Sequence, residues 1–124
     1  MKKGFTLIEL LVVMAILAII MTIMVGILDP AALLNKGYDA QKKKDVNRIK
    51  VAFEEYANDN KGCFPTEAVI NDKGLLIDSN CNKNVFAPWL SSWPCAPQGK
   101  HYLIYTEPSN CPKWFKVATK LDNL

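Results

Sequence analysis

Gly4-Phe5-Thr6-Leu7-Ile8-Glu9-Leu10-Leu11-Val12-Val13-Met14 opens a segment that stays apolar as far as Leu28, and the reading of this segment decides the fold. Leu10 to Leu28 is a run of 19 residues without a charge. As an α-helix it spans roughly 29 Å, the hydrocarbon thickness of a bilayer. A helix from a soluble core would carry a polar face, and only Thr22 and Gly26 interrupt this one. The run is therefore expected to cross a membrane once. Lys2 and Lys3 precede it, which keeps the N-terminus cytoplasmic. Lys42, Lys43 and Lys44, beginning 14 residues after Leu28, argue the other way. Long domains translocate largely regardless of charge, so the orientation stands.

An ordinary secretory signal has a shorter apolar stretch and a small-x-small cleavage site after it. Here the run ends in Gly26-Ile27-Leu28-Asp29-Pro30, a poor site of that kind. The unusual feature lies at the other end, where Glu9 stands at the mouth of an otherwise apolar helix. A carboxylate costs about 2.5–3.5 kcal/mol at the centre of a membrane helix and less near its end. An ionisable residue in such a place calls for a partner.

Lys2 to Ile20 resembles the signal of type IV pilins and type II secretion pseudopilins: a short basic leader, Gly4 before the cut, Phe5 after it, and Glu9 fifth in the mature chain. The resemblance implies cleavage between Gly4 and Phe5 by a membrane-embedded prepilin peptidase, and N-methylation of the new Phe5 amine. It implies that Glu9 pairs with the Phe5 amine of a neighbouring subunit during assembly. Two charges stranded in an apolar bundle are indeed best satisfied by each other. The expected partners are further copies, other pilins and a membrane assembly platform. The expected location is the inner membrane, single-pass with the N-terminus cytoplasmic, then an extracytoplasmic or cell-surface filament. The implied fold class is α+β, pilin-like: a long N-terminal helix, half membrane and half amphipathic, packed on a small antiparallel sheet.

Pro30 clashes with the carbonyl four residues back, which belongs to Gly26, itself a weak helix former. The segment is a place for the helix to bend or melt, as the resemblance suggests, or a plain boundary between two helices. Asp29 can cap a restarted helix with Pro30 in its first position. Ala31 to Asn60 then reads as helix. Val46, Ile49, Phe53 and Tyr56 form one stripe, and Lys42, Lys43, Arg48, Lys50, Glu54 and Glu55 are assigned to the opposite, solvated face. Asn58-Asp59-Asn60-Lys61-Gly62 is a stop signal, with Gly62 suited to a left-handed cap. The expected organisation is a leader over 1–4, a transmembrane and assembly helix over 5–28, an amphipathic helix over 29–62 and a disulfide-stapled globular part over 63–124.

Cys63, Cys81, Cys95 and Cys111 are widely spaced, with no Cys-x-x-Cys pair, and His101 is the only histidine. The pattern reads as two disulfides in an oxidising compartment rather than a zinc site or free buried thiols. Sequential closure, Cys63 with Cys81 and Cys95 with Cys111, makes the shortest loops and is the favoured pairing. Cys63 to Pro97 reads as loop-rich. His101–Glu107 and Lys113–Leu121 read as two strands of a hairpin, with Tyr102, Ile104 and Thr106 on one face and Phe115, Val117, Thr119 and Leu121 on another. Trp89, Trp93 and Trp114 are core residues or part of a contact surface.

The net charge of +3 falls to +1 without Lys2 and Lys3, which gives no global case for nucleic acid. The Lys42–Lys44 triplet is interleaved with Asp39 and Asp45, which weakens a local case. No nucleophile or acid–base set is visible, so no catalytic residue and no cofactor is expected. Glu107 and Asp122 are isolated in sequence, so no metal site is expected. The functional reading is a structural subunit of a pilus or secretion pseudopilus. The alternative is a minor pilin that binds DNA or a surface.

Overall fold

The computed structural model describes residues 4–122, so Lys2 and Lys3 lie outside the described residues. The chain divides into two compact units at Asn35–Lys36. In the first unit, α1 runs Leu7–Ile27 and none of its residues is buried. It stops where Gly26 and Pro30 predict: Leu28 is extended, its N–H still donating to the Met24 carbonyl at 3.1 Å. Asp29 accepts from the N–H groups of Ala31 (3.0 Å) and Ala32 (3.3 Å), capping α2 (Pro30–Asp59). A real boundary therefore separates two helices where the resemblance implies one continuous element.

In the second unit the part of α2 beyond Asn35 is the organising element. Ile49, Ala52, Phe53 and Ala57 are buried, and Val46 and Tyr56 pack beside them, as the stripe predicts. The stripe goes further than expected. Asp39, Lys42 and Asp45 are also buried, and Lys42 has no exposed surface. Its assignment to a solvated face is corrected: one turn further along the same stripe, the core is ionic. The helix stops as predicted, with Lys61 (φ 57°) and Gly62 (φ 78°) left-handed and the Gly62 N–H donating to the Ala57 carbonyl at 2.7 Å.

The stretch expected to be loop holds a short α-helix, α3 (Glu67–Asp72), capped by the Thr66 hydroxyl, which accepts from the Val69 N–H at 3.3 Å, and a 3-10 turn at Asp78–Asn80. Through Ile70, α3 adds to a core that also contains Leu75, Phe86, Leu90 and Trp93. Strands β1 (Leu103–Thr106) and β2 (Phe115–Ala118) pair antiparallel, Leu103 opposite Ala118 and Thr106 opposite Phe115. They are shorter than the sequence predicts, yet Tyr102 and Ile104 face inward as the alternation requires. Phe53 links the elements, its ring 5.3 Å from that of Phe86 and 5.1 Å from that of Phe115.

Both disulfides form, but not in the favoured order. Cys63 pairs with Cys111 and Cys81 with Cys95. The path of the chain decides this. The Phe64 N–H donates to the Pro112 carbonyl at 2.9 Å, which lays the end of α2 beside the β1–β2 connector. Asn82 N–H to Trp93 carbonyl (2.7 Å) and Trp93 N–H to Lys83 carbonyl (2.9 Å) bring the other two cysteines together. Short loops are a weak criterion because closure entropy grows only logarithmically with length.

Candidate functional site

The N-terminal turn of α1 is built by two residues. Thr6 is extended (φ −82°, ψ 148°), and its hydroxyl accepts from the Glu9 N–H at 3.3 Å. The Glu9 carboxylate reaches back, with Oε2 accepting from the Thr6 N–H at 2.9 Å and from the Thr6 hydroxyl at 2.8 Å. This is a capping box: helix ends leave N–H groups unpaired, and each residue satisfies one of the other's. The carboxylate also sits at the positive end of the helix dipole. Both side-chain bonds go to Oε2, and Oε1 accepts none among the described residues. Around Glu9 the surface is apolar, formed by Phe5, Ile8, Val12 and Val13. Gly4 and Phe5 precede the helix and are exposed.

An exposed Gly-Phe junction leads into a carboxylate fixed at the start of an uncovered apolar helix, and in the sequence a basic leader precedes them. Residues 1–25 match the family model described as the prokaryotic N-terminal methylation motif. The N-terminus is a prepilin-type signal. That motif supports a type IV pilin-like precursor processed by prepilin peptidase, and the α+β build with its long apolar N-terminal helix fits a pilin-like fold. No curated protein and no solved structure matches it. The length and apolarity of α1 suit a membrane span, in keeping with the signal.

The remaining candidates lie in the second unit. Lys42 is the centre of an ionic cluster that the sequence reading missed. Its ammonium donates to Asp122 Oδ2 at 2.6 Å and to the Lys120 carbonyl at 3.0 Å, with Asp39 Oδ1 at 3.7 Å. Asp39 in turn accepts from the Asp122 N–H at 2.9 Å. Lys100 binds the other oxygen of Asp122, and hydrogen bonds from Lys100 and then Lys42 hold this carboxyl below its ordinary range. The Tyr102 hydroxyl donates to Asp45 Oδ2 at 2.8 Å, and burial, followed by that bond, raises the phenol's pKa well above its usual value. Asp122 is therefore not isolated in space, but its neighbours are ammonium groups, and no group of three or more potential metal ligands occurs among the described residues.

His101 lies just before β1 rather than on it, exposed, with Nδ1 2.5 Å from Asp78 Oδ1. Glu107 is used locally, accepting from the Lys113 N–H at 2.6 Å. The tryptophans divide: Trp93 is in the core, Trp89 packs on Tyr56 and donates to Asp59 at 2.7 Å, and Trp114 is exposed.

Proposed function

We propose that this chain is a structural subunit of a type IV pilus or a type II secretion pseudopilus. Prepilin peptidase cuts between Gly4 and Phe5, and the new Phe5 amine is methylated. The span over 5–28 holds the subunit in the inner membrane, N-terminus cytoplasmic, until an assembly platform passes it into a filament outside that membrane. There the same segment packs against its copies and other pilins. Residues 29–62 and 63–124 form the amphipathic helix and the disulfide-stapled globular part that the filament displays.

The observation that carries this reading is Glu9. A single carboxylate stands at the start of a helix with no buried residue, inside a prepilin-type signal. The capping box occupies one of its oxygens and leaves the other open to a neighbour's amine. In lipid that pairing removes two unsatisfied charges at once. Mass spectrometry of the N-terminus of the membrane-extracted protein tests the processing step. The expected chain begins at N-methylated Phe5. One beginning at Gly4 or earlier, or after Leu28, refutes it.

A further inference from the structure

The outward face of α2 carries its charges in blocks. Lys36, Lys43 and Lys44 are exposed on the first part of the helix, and Glu54 and Glu55 on the last part. Asn47, Lys50 and Val51, all exposed, lie between the blocks on the same face. Lys43 and Glu54 are eleven positions apart, as are Lys44 and Glu55. Eleven residues make just over three turns, so the blocks share a face, separated by about 16 Å along the axis.

This order does not serve the helix itself. Acidic groups are favoured at a helix N-terminus and basic ones at the C-terminus, yet the first turn of α2 has no acid and the last turn no base. Within the face, Glu54 makes one loose contact, Lys50 Nζ to Oε1 at 3.8 Å, with the lysine N-terminal to the glutamate, the weaker orientation. Lys43, Lys44 and Glu55 have no ion-pair partner among the described residues. The lysines that α2 uses internally are a separate set, headed by the buried Lys42.

We propose that this face docks on the same face of a second copy, the two α2 helices parallel and offset by about three turns, with Glu54 and Glu55 of one against Lys43 and Lys44 of the other. The contact is heterologous: the acidic block of one copy meets the basic block of the other. A parallel, offset contact of this kind is not closed by two-fold symmetry. The proposal rests on the reading of the chain as a filament subunit and adds the register between neighbours. The charges specify that register, because any offset that puts like blocks together is penalised.

The test uses the full chain in membranes with its assembly machinery, scoring sheared filaments by sedimentation and electron microscopy. Lys43→Glu with Lys44→Glu, and separately Glu54→Lys with Glu55→Lys, should each lower the assembled fraction at least about tenfold. The four substitutions together should restore it. Membrane retention and the processed mass should stay native in all three variants, since the altered side chains are exposed. Native assembly by either double variant, or no recovery in the fourfold variant, overturns the register while leaving the filament reading intact. Absence of filaments from the unaltered chain overturns both.

Discussion

The Lys42 ammonium, without exposed surface, lies 2.6 Å from a carboxylate oxygen of Asp122, a residue 80 positions further along the chain. Through this pair the end of the described chain is tied to α2, and the bond to the Lys120 carbonyl adds a second attachment. A buried ion pair is weak evidence of net stabilisation, but removing one partner is costly because the other keeps its charge without compensation. We expect Lys42→Met to lower the unfolding free energy by about 2–4 kcal/mol, despite matching the aliphatic stem. Urea titration followed by tryptophan fluorescence measures it. An unchanged midpoint would remove the pair from any account of this fold.

The same cluster sets a response to acid. Hydrogen bonds from Lys100 and Lys42 depress the Asp122 carboxyl, so its ionised form is favoured in the folded state. For such a group the contribution is complete above the unfolded value, about pH 4, and is lost as pH falls through the lower folded value. The native chain should lose stability below about pH 4 more steeply than Asp122→Asn, in melting curves taken across that range. Parallel acid profiles for the two chains would contradict the assignment.

Tyr102 sets the opposite limit. Burial and the Asp45 carboxylate favour the neutral phenol in the folded state and raise its pKa. The contribution of such a group is complete below the unfolded value, about pH 10, and is lost as pH rises from there towards the higher folded value. Tyr102→Phe deprives Asp45 of a donor, which should cost about 1–2 kcal/mol at neutral pH, while flattening the loss of stability above pH 10. Thermal unfolding at pH 7 and above pH 10 separates the two effects; equal alkaline slopes would show that another group titrates there.

How much of this was legible in the sequence follows from what each pattern encodes. Glu9 and the apolar run need only composition and order, and they gave the signal and α1. The stripe Val46, Ile49, Phe53, Tyr56 gave the core face of α2. Followed backwards at the same spacing it reaches Lys42 and Asp39, both buried. Periodicity therefore pointed at Lys42, but residue type overrode it, since three consecutive lysines look alike until a distant aspartate reveals which one turns inward. The cysteine pairing was not legible for a related reason. It depends on backbone contacts such as Phe64 to Pro112, which join segments that no local pattern connects. Helix α3 was not legible either, because a six-residue helix has too few turns to show a period.

The disulfides should differ in weight. Cys63–Cys111 spans 48 positions and Cys81–Cys95 spans 14. In the loop-entropy account these correspond to about 4 and about 3 kcal/mol. Replacing both cysteines of the longer loop by serine should lower the melting temperature more than the same change in the shorter loop. It also frees the end of α2 from the β1–β2 connector, so proteolysis near Lys113 should accelerate in that variant. The reverse order of melting temperatures would show that native packing, rather than the constrained unfolded chain, decides what each bond contributes.

Glu9 has two physical duties that can be separated. As a capping residue it needs only an acceptor for the Thr6 N–H. As the proposed partner of a neighbour's amine it needs a charge. Glu9→Gln keeps an acceptor and loses the charge, whereas Glu9→Leu loses both. Thr6→Ala disturbs the cap and leaves the carboxylate, at a cost to the first turn of about 1 kcal/mol. All three chains should remain in the membrane, because α1 stays long and apolar. Filament yield should fall with Glu9→Gln about as far as with Glu9→Leu, while Thr6→Ala should retain most of it. Native filaments from Glu9→Gln would assign the residue to capping alone. The inverse pattern, normal assembly by both Glu9 variants and failure of Thr6→Ala, would move the requirement from charge to the shape of the first turn.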